Sequence, residues 1–230
     1  AELDQEIAEA QREIDALPTR EEFLGPYGAA GPGGHLRENS YDRMVRGPQE
    51  RLEKALAMRE AMSIDGDPSK GYDPNKYLML LEFPEGREPR AAIAVGNPDE
   101  AEHVAVTTPG VGTTPTSLPG MVEEARVLRD ETQNQLDIAG RIGEDVSTIA
   151  WLGYEPPGND ISVLEAGIDR RANEAAPDLA DFYRGIVATN EHGSDVNLSA
   201  FGHSYGSLTT AQALHELGET GVVDNAAFYG

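Results

Sequence analysis

Apolar positions in the first 70 residues recur at helical spacing among many charges. Leu3, Ile7, Ala10, Ile14 and Leu17 predict a helix over Glu2–Leu17, and Pro18 stops it. The run from Gly25 to Gly34 reads as loop. Leu52, Ala55, Leu56, Arg59 and Met62 mark one side of a second helix from Pro48 to Met62, closed by Asp65-Gly66-Asp67-Pro68. From residue 72 the pattern changes to short β-rich runs alternating with helical stretches. Residues 77–83, 90–95, 103–107, 146–152, 196–201 and 222–229 read as six strands, the first two joined as a hairpin through Pro84-Glu85-Gly86-Arg87. Between them lie a helix from Ser117 with Met121, Val122, Ala125 and Leu128 inward, and a helical stretch over 161–190 in two pieces divided near Pro177. A third helix covers Tyr205–Leu217 and ends at Gly218. Strands alternating with helices predict an α/β fold, with a mostly parallel sheet and helices on both faces. The expected division is a helical N-terminal extension, residues 1–71, and an α/β domain, residues 72–230.

Charge narrows the partners. Asp and Glu number 41 against 18 Lys and Arg, a net charge of −23. Such a surface repels nucleic acid and anionic lipid, so neither is expected as a partner. No apolar run approaches the ~20 residues of a membrane span. The absence of cysteine excludes disulfides, thiolate metal sites and a cysteine nucleophile. No pair of histidines has metal-ligand spacing, so neither a metal nor another cofactor is expected. The first residue is alanine rather than methionine; a cytoplasmic location is favoured, and export stays open. Residues 1–70 have too little apolar material for a core of their own. They are expected to pack on the main domain or to belong to a larger N-terminal region, and recruitment of a protein partner is a further reading of them.

One motif carries chemistry. Gly202-His203-Ser204-Tyr205-Gly206 fits Gly-x-Ser-x-Gly, with a predicted strand before it and a predicted helix after it. A sharp turn there would project the Ser204 hydroxyl at the C-terminal edge of the sheet, where ligand sites of α/β folds lie. Gly202 and Gly206 suit a turn with no room for a Cβ. The loop Pro109-Gly110-Val111-Gly112-Thr113-Thr114 follows the third strand, where a second backbone donor for an oxyanion is needed. The candidate donors are the amides of Tyr205 and Val111, with Gly112 next. Gly110, Thr113 and His203 are candidate substrate contacts. Trp151 and Tyr154, leaving the fourth strand, either line the pocket or fill the core.

These stretches resemble the α/β-hydrolase superfamily. More narrowly, Val104–Thr113, Ile149–Tyr154 and Phe201–Ser207 are similar to an actinobacterial family of α/β hydrolases without an assigned function. The resemblance covers residues 75–230. It implies Ser204 as the nucleophile of an esterase- or lipase-like enzyme acting on a small-molecule ester or acyl substrate. The amides of Tyr205 and Val111 would form its oxyanion hole. The superfamily order is Ser, then Asp or Glu, then His. After Ser204 the only such residues are Glu216, Glu219, Asp224 and His215. All lie in the helix after the serine or the turn beyond it. The acid and base are therefore expected beyond residue 230, with the C-terminal part of the domain absent. A non-catalytic binding module of the same fold is the alternative.

Overall fold

A computed structural model describes residues 2–25, 28, 33–158 and 161–230, without the side chains of 161–169. Most of the loop predicted over 25–34 lies outside the described residues. The chain forms two compact units, Ala1–Arg59 and Glu60–Gly230. The boundary thus falls ahead of residue 71, inside a helix.

The first unit holds α1 (Glu2–Asp15), α2 (Arg20–Leu24) and most of α3 (Gly34–Met62). Leu3 and Ala10 of α1 are buried, as the helical spacing predicts. Thr19 and Glu22 form a reciprocal capping box that starts α2. Arg51 of α3 reaches Glu6 at 2.6 Å and Glu13 at 3.5 Å, so ion pairs supplement a sparse apolar core. The predicted second helix is corrected here. It begins near Gly34, and Pro48 lies inside it rather than at its start.

The second unit contains one six-stranded sheet: β1 (Lys76–Glu82), β2 (Arg90–Val95), β3 (His103–Thr108), β4 (Val146–Leu152), β5 (Asn197–His203) and β6 (Asn225–Tyr229). Their spatial order is β1-β2-β4-β3-β5-β6. The sheet is mixed. β2 runs antiparallel to both β1 and β4, while β4, β3, β5 and β6 are mutually parallel. The helices are α4 (Leu118–Ile138), α5 (Ile161–Thr189) and α6 (Tyr205–Leu217).

Strand alternation assigns the faces. Val104 and Val106 of β3 and Ile149 of β4 join a core with Leu179 and Tyr183 of α5 and Ala213 of α6. The neighbouring residues Thr107 and Ala150 face the other way, toward Met121, Ala125 and Leu128 of α4. Helices therefore cover both faces, α4 on one and α5 with α6 on the other. Every residue of β4 is buried, as expected of a strand inside the sheet with helices on both faces. All five residues of β6 are exposed.

α5 is one continuous helix through Pro177, where two pieces were expected. Pro177 is exposed and lacks the amide its position in the helix would use. Pro177→Ala is expected to stabilise the protein by about 1–2 kcal/mol, the restored hydrogen bond outweighing the looser unfolded chain. A thermal melt checks this, and a lower melting temperature would contradict a continuous helix.

Candidate active site

Ser204 joins β5 to α6 with φ 51° and ψ −120°, a conformation that favours glycine. Asp65 is the only other described non-glycine residue at positive φ. The turn closes through Ser207, whose amide donates to the Ser204 carbonyl at 2.9 Å and whose hydroxyl donates to the Gly202 carbonyl at 2.8 Å. The Ser204 amide donates to the Tyr229 carbonyl of β6 at 2.6 Å, extending the β5–β6 ladder to the serine.

Both elbow glycines are sterically required. A Cβ at Gly202 would stand 2.5 Å from Ser207 Cα. One at Gly206 would stand 2.2 Å from the Thr108 carbonyl oxygen and 2.5 Å from that of Pro109. α6 therefore begins in backbone contact with the end of β3, which carries the loop to α4. Gly110 of that loop lies against the serine: a Cβ there would be 2.7 Å from Ser204 Cβ and 3.2 Å from its Oγ. Tyr205 opens α6, where first-turn amides point out of the helix end.

The two candidate loop amides, those of Val111 and Gly112, differ in their partners. The Gly112 amide donates to the Pro157 carbonyl at 2.8 Å. Among the described residues the Val111 amide has no backbone acceptor. Thr113 and His203 line a cavity of about 640 Å³ on the α4 side, with Thr107, Met121, Glu124 and Tyr229. The His203 ring packs on that of Tyr229 with centroids 5.3 Å apart. Burial raises the Tyr229 phenol above its ordinary pKa, and the Glu124 carboxylate adds to the shift.

Trp151 and Tyr154 are both buried in the core. Trp151 is 1 % exposed and Tyr154 4 %. Their rings stack at 5.8 Å, and Tyr154 stacks in turn on Tyr205 at 6.4 Å. Gly153 permits this, since a Cβ there would stand 2.3 Å from the Trp151 ring. The Tyr154 hydroxyl donates to the Pro109 carbonyl at 2.5 Å. Desolvation holds its phenol well above the usual pKa, so it remains a neutral donor. Beneath the elbow, the buried Tyr183 hydroxyl lies beside those of Thr108 and Thr210, and desolvation holds its phenol well above the usual pKa.

The acids and histidine after Ser204 are elsewhere. Asp224 accepts from the Leu198 amide at 2.8 Å, at the far end of β5 from the serine. His215 and Glu216 are exposed near the end of α6. Among the described residues, no histidine hydrogen-bonds Ser204 Oγ and no cluster of His, Asp or Glu could hold a metal ion. No described helix is long and apolar enough to cross a membrane.

Sequence reasoning missed three contacts: Tyr229 on the Ser204 amide, Pro157 on the Gly112 amide and Tyr154 on the Pro109 carbonyl. Only Pro156-Pro157 gave a signal, since a segment without amides leaves its carbonyls for other chain segments.

Residues 85–230 match the profile of a family described as Alpha/beta hydrolase. The chain belongs to the alpha/beta hydrolase family. An uncharacterized protein of Mycobacterium tuberculosis (strain ATCC 25618 / H37Rv) is 40% identical over 146 residues, 62% of this chain and 53% of that protein. Another uncharacterized protein of the same strain is 34% identical over 147 residues, 62% of this chain and 20% of that protein. This alpha/beta hydrolase chain thus spans about half the length of the first of these relatives, and less of the second. A solved structure of the esterase Est22 aligns with 92% of this chain and 55% of its own, at 15% identity and a TM-score of 0.32. A likeness at that level carries no argument about this chain's activity.

Proposed function

We propose that Ser204 is the nucleophile of a serine hydrolase acting on an ester or related acyl bond. The observation that carries the reading is the strained, exposed serine between β5 and α6, with the Gly110 backbone against its side chain. Backbone strain held by surrounding structure is typical of residues that do chemistry. Ser204 Oγ would attack the substrate carbonyl carbon, and its proton would pass to a general base. The carbonyl oxygen would gather negative charge between the Val111 and Tyr205 amides. Collapse of the tetrahedral intermediate expels the alcohol, which takes up that proton, and leaves an acyl-enzyme for water to cleave. A serine without a base is a weak nucleophile, so the reading concerns the whole protein.

The test is labelling of the whole protein with a fluorophosphonate, with the adduct mapped by mass spectrometry. The adduct is expected on Ser204 and absent from Ser204→Ala. No adduct on the native protein, or equal labelling of Ser204→Ala, would refute the assignment and favour a binding module of this fold.

A further inference from the structure

The segment after β4 holds the β3–α4 loop at both ends. The Tyr154 hydroxyl donates to the Pro109 carbonyl at 2.5 Å, one residue before Gly110. Three residues beyond Tyr154, the Pro157 carbonyl receives the Gly112 amide at 2.8 Å. Between these two bonds lie only Gly110, which packs against Ser204, and Val111, whose amide is one of the two proposed oxyanion donors.

The holding segment is itself anchored. Arg171 of α5 donates to the Glu155 and Pro156 carbonyls at 3.0 and 3.4 Å, and pairs with the Glu155 carboxylate at 3.4 Å. The Tyr154 ring is fixed between Trp151 and Tyr205, with interplanar angles of 17° and 13°. Tyr205 supplies the other candidate donor amide. A single buried tyrosine therefore touches the loop through its hydroxyl and the residue after the nucleophile through its ring.

We infer that Tyr154 is a positioning residue for the oxyanion hole, setting the spacing between the Val111 and Tyr205 amides. This rests on the serine-hydrolase reading above. The effect required is geometric. Donors act on a developing oxyanion only when held at about 2.7–3.1 Å from it. A displacement of about 1 Å can cost ~100-fold in rate. Losing the hydroxyl leaves the Pro109 carbonyl without its partner while the ring stack remains.

The experiment compares Tyr154→Phe with Tyr183→Phe in the whole protein. Tyr183 is an equally buried tyrosine of the same core whose hydroxyl lies beside the Thr108 and Thr210 hydroxyls rather than on the Pro109 carbonyl. Tyr154→Phe is expected to lower kcat and the rate of fluorophosphonate labelling by about 10-fold or more, with KM within about twofold. Tyr183→Phe is expected to leave both unchanged. Amide hydrogen exchange provides a readout independent of activity. The Gly112 amide should exchange at least ~10-fold faster in Tyr154→Phe than in the native protein.

Unchanged kcat and unchanged Gly112 exchange in Tyr154→Phe would overturn the inference. So would an equal loss of kcat in both variants, which is the signature of a general packing effect. Absence of any Ser204 adduct in the native protein sinks the hydrolase reading instead. In that case the exchange rate alone decides whether Tyr154 holds the loop.

Discussion

Gly206→Ala is expected to lower the melting temperature by about 10 °C and kcat by about 100-fold. The added methyl would sit 2.2 Å from the Thr108 oxygen and 2.5 Å from the Pro109 oxygen. Both obstacles are backbone atoms: Thr108 is the last residue of β3 and pairs with Gly202 of β5, and the Pro109 carbonyl is held by the Tyr154 hydroxyl, so neither can rotate away. Either α6 or the β3 end must shift, at a cost of about 3 kcal/mol. In a unit of this size, each kcal/mol moves the midpoint by roughly 2–4 °C. The same shift separates the two proposed oxyanion donors, because one follows β3 and the other opens α6. The contrast is Gly185→Ala in α5, where nothing lies within 4 Å. That change is expected to raise stability by about 0.5–1 kcal/mol, since a helical glycine costs conformational entropy. Equal melting temperatures for Gly206→Ala and the native protein would show that α6 does not rest on β3 as described.

The sequence made legible those parts of the fold that rest on local pattern. The β-rich run over 103–107 read as a strand, and the structure forms one at His103–Thr108 with Val104 and Val106 in the core. The elbow was legible because a turn this tight tolerates only small flanking residues, which the sequence displays directly. α3 was misread because Gly47-Pro48 marks a helix boundary locally and Pro48 suits a first turn, whereas the helix runs through it. Pro177 misled in the same way within α5. A proline removes one hydrogen bond, and the remaining helical bonds and packing can outweigh that loss. The arrangement around the loop was illegible for a different reason. Tyr154 and its acceptor Pro109 are 45 residues apart, and no periodicity encodes such a bond. The aromatic run Trp151–Tyr154 showed that something large was packed there, but not that its hydroxyl had a backbone partner.

Ser204→Gly is expected to eliminate fluorophosphonate labelling while making the protein more stable by about 1 kcal/mol, a rise of roughly 2–4 °C in melting temperature. Holding a serine at φ 51° and ψ −120° costs on the order of 1–3 kcal/mol, and glycine adopts the same angles freely. Against this stands the greater freedom of glycine in the unfolded chain, about 0.5–1 kcal/mol. The side chain is exposed, so little buried contact is lost with it. Ser204→Ala separates the two effects. It removes the hydroxyl but keeps a Cβ at positive φ, so labelling should vanish with the melting temperature almost unchanged. If glycine and alanine gave the same melting temperature, the turn would store no measurable strain. The Tyr229 carbonyl and the Ser207 contacts would then be sufficient to hold any residue in place. If glycine alone stabilises, the fold gives up stability to present a hydroxyl at this point. Such a cost at an exposed side chain is accounted for by what the hydroxyl does rather than by its contribution to folding.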